Sequence, residues 1–139
     1  MISMNKLHVL IAAAGKGTRS GLPYPKTLHP VNGLPIIIHL LNKLKPYDSH
    51  PTIIVSPEGK SLVNNCLKQY DRTAHLIVQK EALGMGNAVL QFQYSPAATN
   101  TEDVLLTWGD IPFLNSDTLT AIINTHKSHR NSFTFASRH

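Results

Sequence analysis

The chain has 139 residues, 42% of them hydrophobic and 15% charged, which fits a folded domain with a real core and excludes a disordered chain. Its net charge of +5 comes from scattered lysines and arginines, without the clustered stripe or interleaved aromatics of a nucleic-acid surface. No nucleic-acid or membrane partner is therefore expected, and a small anionic ligand accounts for the basicity at least as well. The lone cysteine, Cys66, excludes an internal disulfide, and with no membrane-length or leader-like apolar run the chain reads as cytoplasmic.

Leu7 to Ala12 is a near-continuous apolar run, as expected of a buried parallel strand. Ile36, Ile37, Leu40, Leu41 and Leu44 then recur at helical spacing, with Pro35 at the first turn and Pro46 just past the end. Thr52 to Val55 reads as a second strand. Ser56, Pro57 and Glu58 open a second helix carrying Leu62, Val63, Cys66 and Leu67. His75 to Val78 is a third strand, and Ala82 to Tyr94 a third helix whose first turn is weakened by Gly84 and Gly86. After a loop from Ser95 to Thr101 come a strand at Val104 to Thr107, a helix opened by Asn115, and a last strand from Ser132 to Ala136.

Strands alternating with helices imply right-handed crossovers and a three-layer α/β/α, Rossmann-like arrangement with a mostly parallel sheet, here one domain over residues 1–139. Ligands of such sheets sit beyond the carboxyl ends of the strands, near the switch in strand order. The turn after the first strand, the Gln79 segment and Asp110 all follow strands at that end, so they are expected to converge.

The turn after the first strand carries the chemistry. Gly15-Lys16-Gly17-Thr18-Arg19, with Pro25-Lys26 downstream, joins glycines whose N–H groups can approach phosphate oxygens to three cations that offset their charge. It is not a Walker A loop, because Leu10 and Gly17 stand where Gly and Ser or Thr are required. Nor is it a dinucleotide fingerprint, because Ser20 replaces the third glycine and positions 33 to 47 hold no carboxylate. Asp110 is a candidate Mg²⁺ ligand, since that ion takes hard carboxylate oxygens together with substrate phosphates. His126 and His129 have helical spacing but no partner at metal-ligand spacing, and read as a solvated helix face.

This pattern resembles the sugar-nucleotide pyrophosphorylases, and most closely their N-acetylglucosamine-1-phosphate uridylyltransferase domain. Besides the glycine-rich turn, the residues that carry the resemblance are Lys26 to Val31, Gly33 with Pro35, Val78 to Ala88 around Gln79 and Gly84, and Gly109-Asp110 with Pro112, in the family's order. The resemblance implies a nucleotidyltransferase fold and transfer of a nucleotide from an NTP, UTP first, to a sugar 1-phosphate with release of pyrophosphate. It implies Lys26 and Arg19 as catalytic cations, Ala13, Ala14, Gly15, Lys16, Gly17 and Thr18 as the nucleotide-binding loop, Gln79 and Gly84 at the base, and Asp110 on Mg²⁺. It further implies that this is the N-terminal, nucleotide-binding part of a larger domain whose later half supplies the sugar contacts.

Departures from the pattern leave other readings open. Ala82 stands where a second glutamine is usual, Met85 replaces a threonine, Trp108 a tyrosine, and Ala12 a leucine. A CTP- or GTP-specific transferase, or a truncated, non-catalytic nucleotide-binding module, remains possible on the residues alone.

Overall fold

The computed structural model describes residues 7–15 and 17–137, with the Thr18 side chain outside that description. Four parallel strands form the central sheet: β1 (Leu7–Ala13), β4 (Thr52–Val55), β5 (His75–Val78) and β6 (Asp103–Trp108), in the spatial order β5-β4-β1-β6. The apolar runs become strands because both faces are covered. Val9, Leu10, Ile11, Ile53 and Ile54 are wholly inaccessible to solvent.

Alternate residues of β1 feed two cores. Val9 and Ile11 join Ile53 and Val55 beneath α1 (Ile36–Leu44), α2 (Gly59–Gln69) and Leu119 of α4 (Ser116–His129). Leu10 and Ala14 face the other way, onto Ala88 and Phe92 of α3 (Gly84–Gln93). Handedness explains the division. The chain moves outward from β1 through α1 to β4 and through α2 to β5, then returns past β1 to β6. A right-handed return crossover must lie on the opposite face, which is where α3 packs. Strand order therefore reverses between β1 and β6, and the carboxyl ends of those two strands frame a crevice.

The fold bears out the expected α/β architecture, with local differences. Asn32 and Gly33, both with positive φ, close a two-residue-loop hairpin between β2 (Pro30–Val31) and β3 (Leu34–Pro35) that the sequence reading passed over. The second helix starts at Gly59, after a turn in which Ser56 Oγ accepts from the Gly59 N–H, and the third starts at Gly84. The strand expected from Ser132 to Ala136 does not form. Phe133 and Phe135 alternate as a strand would but remain 77% and 72% exposed, and the segment is tied to α4 through Thr134 Oγ1, 3.0 Å from His126 Nδ1, with no strand among the described residues to ladder against. Cys66 is a free thiol in the larger core, and burial pushes its pKa up, away from the reactive thiolate. Among the described residues no helix is long and apolar enough to cross a membrane.

Candidate active site

The crevice is set by one close approach. Gly109 N–H donates to the Ala12 carbonyl at 2.8 Å, extending the β1–β6 ladder past its last pair. A Cβ on Gly109 would lie 2.7 Å from Ala13 Cβ, so only glycine lets the two strand ends meet there. Asp110 thus emerges directly beside the loop that leaves β1.

In that loop Gly17 takes φ +53°, as the glycine-rich motif suggested, and its carbonyl accepts from both Ser20 N (2.8 Å) and Ser20 Oγ (2.6 Å). Gly15 does not take a positive φ, and open space surrounds the position of its missing Cβ. What it contributes here is open space and not turn geometry. Lys16 lies outside the described residues.

Pro25 leads into a single 3₁₀ turn, Lys26–Leu28, which delivers Lys26 to the crevice. Its Nζ stands 3.1 Å from Asp110 Oδ2, a pair formed across 84 positions of sequence with the two side chains 50% and 43% exposed. An ion pair this open contributes no more than about 1 kcal/mol to stability, so an incoming anion can take over the ammonium. Thr27, beside it, buries a hydroxyl that has no hydrogen-bond partner among the described residues.

The opposite wall comes from the β5–α3 connection. The Gln79 N–H donates to Val55 O, carrying the sheet one residue past β5, and the Gln79 side chain is buried. Its Nε2 donates to the Gly84 carbonyl at 3.1 Å and to Asn87 Oδ1 at 2.8 Å. Gly84 has φ +83°, a conformation natural to glycine, and this bends the chain into α3.

These elements enclose a cavity of about 290 Å³, the lower end of the range for small-molecule sites. Ala13, Ala14, Gly15, Gly17, Lys26, Gln79, Gly84 and Asp110 all line it, so the fold brings these sequence-predicted positions together. Arg19 is exposed on its 3₁₀ turn and is not among the lining residues. Ala82, Met85 and Trp108, the departures from the family pattern, do line the cavity, and Trp108 is 58% exposed at its rim. Asn87 and Thr27 were missed by sequence reasoning. For Asn87 the available signal was a polar amide in the first turn of a helix, three positions after a glycine that already looked special.

Comparison with known proteins agrees with this geometry. Residues 9–139 match the model of the MobA-like NTP transferase domain. The Bifunctional protein GlmU of Roseobacter denitrificans is 37% identical over 123 residues, covering 88% of this chain and 27% of that protein. The GlmU of Rippkaea orientalis is 36% identical over 133 residues, covering 94% and 28%. The chain thus spans little more than a quarter of these relatives. Among solved structures, a putative glucose-1-phosphate thymidylyltransferase from Bacillus anthracis superposes with a TM-score of 0.69 at 24% identity, over 85% of this chain and 50% of that one. A CMP:2-keto-3-deoxy-manno-octonic acid synthetase follows at 0.67 and 13%, over 90% and 48%. With a family model matched along nearly its whole length and a glycine-rich loop, a lysine and an aspartate gathered at the switch in strand order, the chain belongs to the MobA-like nucleotidyltransferases and is a relative of GlmU.

Proposed function

We propose that this chain is the nucleotide-binding part of a sugar-1-phosphate nucleotidyltransferase, with UTP as the nucleotide and N-acetylglucosamine 1-phosphate as the acceptor. The observation that carries the reading is the Lys26–Asp110 pair, 3.1 Å apart at a cavity walled by Gln79 and Gly84. In the reaction an oxygen of the sugar phosphate attacks the α-phosphorus of the triphosphate in line. The α–β bridging bond breaks, and pyrophosphate leaves with its electron pair.

The Lys26 ammonium offsets charge building on the α-phosphate, and loop N–H groups from Ala13 to Gly17 orient the triphosphate. Arg19 is exposed on the adjoining turn and does not line the cavity, so on this reading its part is confined to phosphates that project beyond it. Asp110 fits a Mg²⁺ ligand: it is a half-exposed, hard oxygen donor and the sole carboxylate lining the cavity among the described residues. No group of three ligating side chains occurs among those residues, and Mg²⁺ commonly completes its shell with water and substrate phosphate. When bound, the ion would neutralise charge on the triphosphate.

Ala82 and Met85 place apolar groups on the cavity wall where the family's uridylyltransferases carry a glutamine and a threonine, which leaves one further reading open, a transferase for CTP or GTP. Pyrophosphate release measured with each of the four NTPs and a panel of sugar 1-phosphates, in Mg²⁺, tests both. Release with UTP and N-acetylglucosamine 1-phosphate supports the first, and a preference for CTP or GTP replaces it with the second. NTP binding without release under any pairing would make this chain a nucleotide-binding module alone.

A further inference from the structure

The side chain of Gln79 has two hydrogen-bonding ends, and the fold leaves only one for a ligand. The Gly84 carbonyl can only accept, so the amide atom 3.1 Å from it must be the nitrogen. Asn87 Oδ1, at 2.8 Å, accepts from the same nitrogen. Both amide hydrogens are then committed, and Oε1 is the remaining polar atom of a side chain that lines the cavity. A single acceptor would leave the terminal amide torsion soft, because sp³–sp² torsions are broad. Two acceptors, one on the residue that opens α3 and one about a helical turn later, define it.

Resting on the nucleotide reading above, we propose that Asn87 is a positioning residue. With the Gly84 carbonyl it holds the Gln79 amide so that Oε1 alone is offered to the base, and this lone acceptor selects a pyrimidine bearing a single imide N–H. Uracil and thymine carry one such donor between two carbonyls. Cytosine presents a bare ring nitrogen at that place, so two acceptors would oppose each other. Guanine brings adjacent donors, one of which Oε1 would leave unpaired. The apolar Ala82 and Met85 on the same wall supply no side-chain acceptor that would match it.

The test compares the wild-type chain with Asn87→Ala and Asn87→Asp, the latter keeping an acceptor at the position. Amide NMR of the free protein should show both Gln79 side-chain protons protected in wild type, the one facing position 87 losing its protection in Asn87→Ala, and both protected again in Asn87→Asp. UTP affinity should fall about tenfold in Asn87→Ala and recover in Asn87→Asp, while tripolyphosphate affinity stays constant. Wild type should discriminate against UTP methylated at the imide nitrogen, and Asn87→Ala should discriminate less. Equal losses for UTP and tripolyphosphate, or an unchanged discrimination ratio, would overturn the inference. Protected Gln79 protons in a wild-type chain that binds neither UTP nor tripolyphosphate would instead overturn the nucleotide reading, and base selection with it.

Discussion

At the carboxyl end of the sheet Lys26 and Asp110 are each about half exposed and share a cavity, whereas at its amino end His8 and Asp48 are 14% and 13% exposed and close upon the fold itself. Asp48 Oδ2 accepts from Val9 N at 2.9 Å and lies 3.4 Å from His8 Nδ1, while Oδ1 accepts from His50 N. His8 Nε2 meets Thr52 Oγ1 at 2.8 Å, its ring stacks on Phe92, and His50 packs edge-on against His75. Both ends hold an acid and a base. At the amino end the surroundings use up their hydrogen-bonding capacity, and at the carboxyl end they leave capacity for a ligand. Charge in the sequence is therefore not enough to mark a site; what distinguishes one is charge that the fold leaves open.

The largest expected effect breaks the open end. Asp110→Asn keeps the shape but removes the charge, and should lower turnover by about 100-fold or more and abolish the Mg²⁺ dependence of nucleotide binding, read by titration with and without the ion. Gly109→Ala forces the two strand ends apart and should cost about 1–3 kcal/mol, seen as a lower midpoint in denaturant unfolding, with nucleotide binding weakened alongside. Lys26→Ala should reduce turnover at least about tenfold while leaving the unfolding midpoint nearly unchanged, because an exposed pair contributes little to stability.

The smallest effect sharpens the closed end. Burial lowers the His8 pKa below its ordinary 6.5, with Asp48 opposing and His75 and His50 reinforcing the shift. The native state thus prefers the neutral ring, so stability is fully present above about pH 6.5 and declines as pH falls from there toward the folded-state value. Thermal unfolding of wild type against His8→Gln across pH 5 to 8, roughly the span in which histidine titrates, should show a shallower acid-side slope in the variant.

How much was legible beforehand follows from how local each signal is. The strands at Leu7 and Thr52 were readable because burial on both faces demands continuous apolar runs, and those at His75 and Val104 because shorter apolar runs repeat the pattern at the partly buried edges of the sheet. Asn115 was readable as a cap, and its Oδ1 does accept from Asp117 N and Thr118 N. The Lys26–Asp110 distance was not, because it arises from strand order and from a missing Cβ at Gly109. Asn87 was invisible because its partner, Gln79, is turned toward it only by the bend at Gly84. Ser132 to Ala136 misled because alternation describes a strand's faces and says nothing about whether a neighbour exists to pair with.

The contact between Gly109 and Ala13 carries one more consequence. With the Gly109 amide fastened to Ala12 and no room between the strand ends, the rim bearing Asp110 and the start of the loop after β1 are held directly against each other. The facing wall, the turn from Gln79 to Asn87, is not part of that contact. On the proposed nucleotide reading, exchanging residues in that turn would redirect which nucleoside is accepted while leaving the Gly109–Ala13 contact intact.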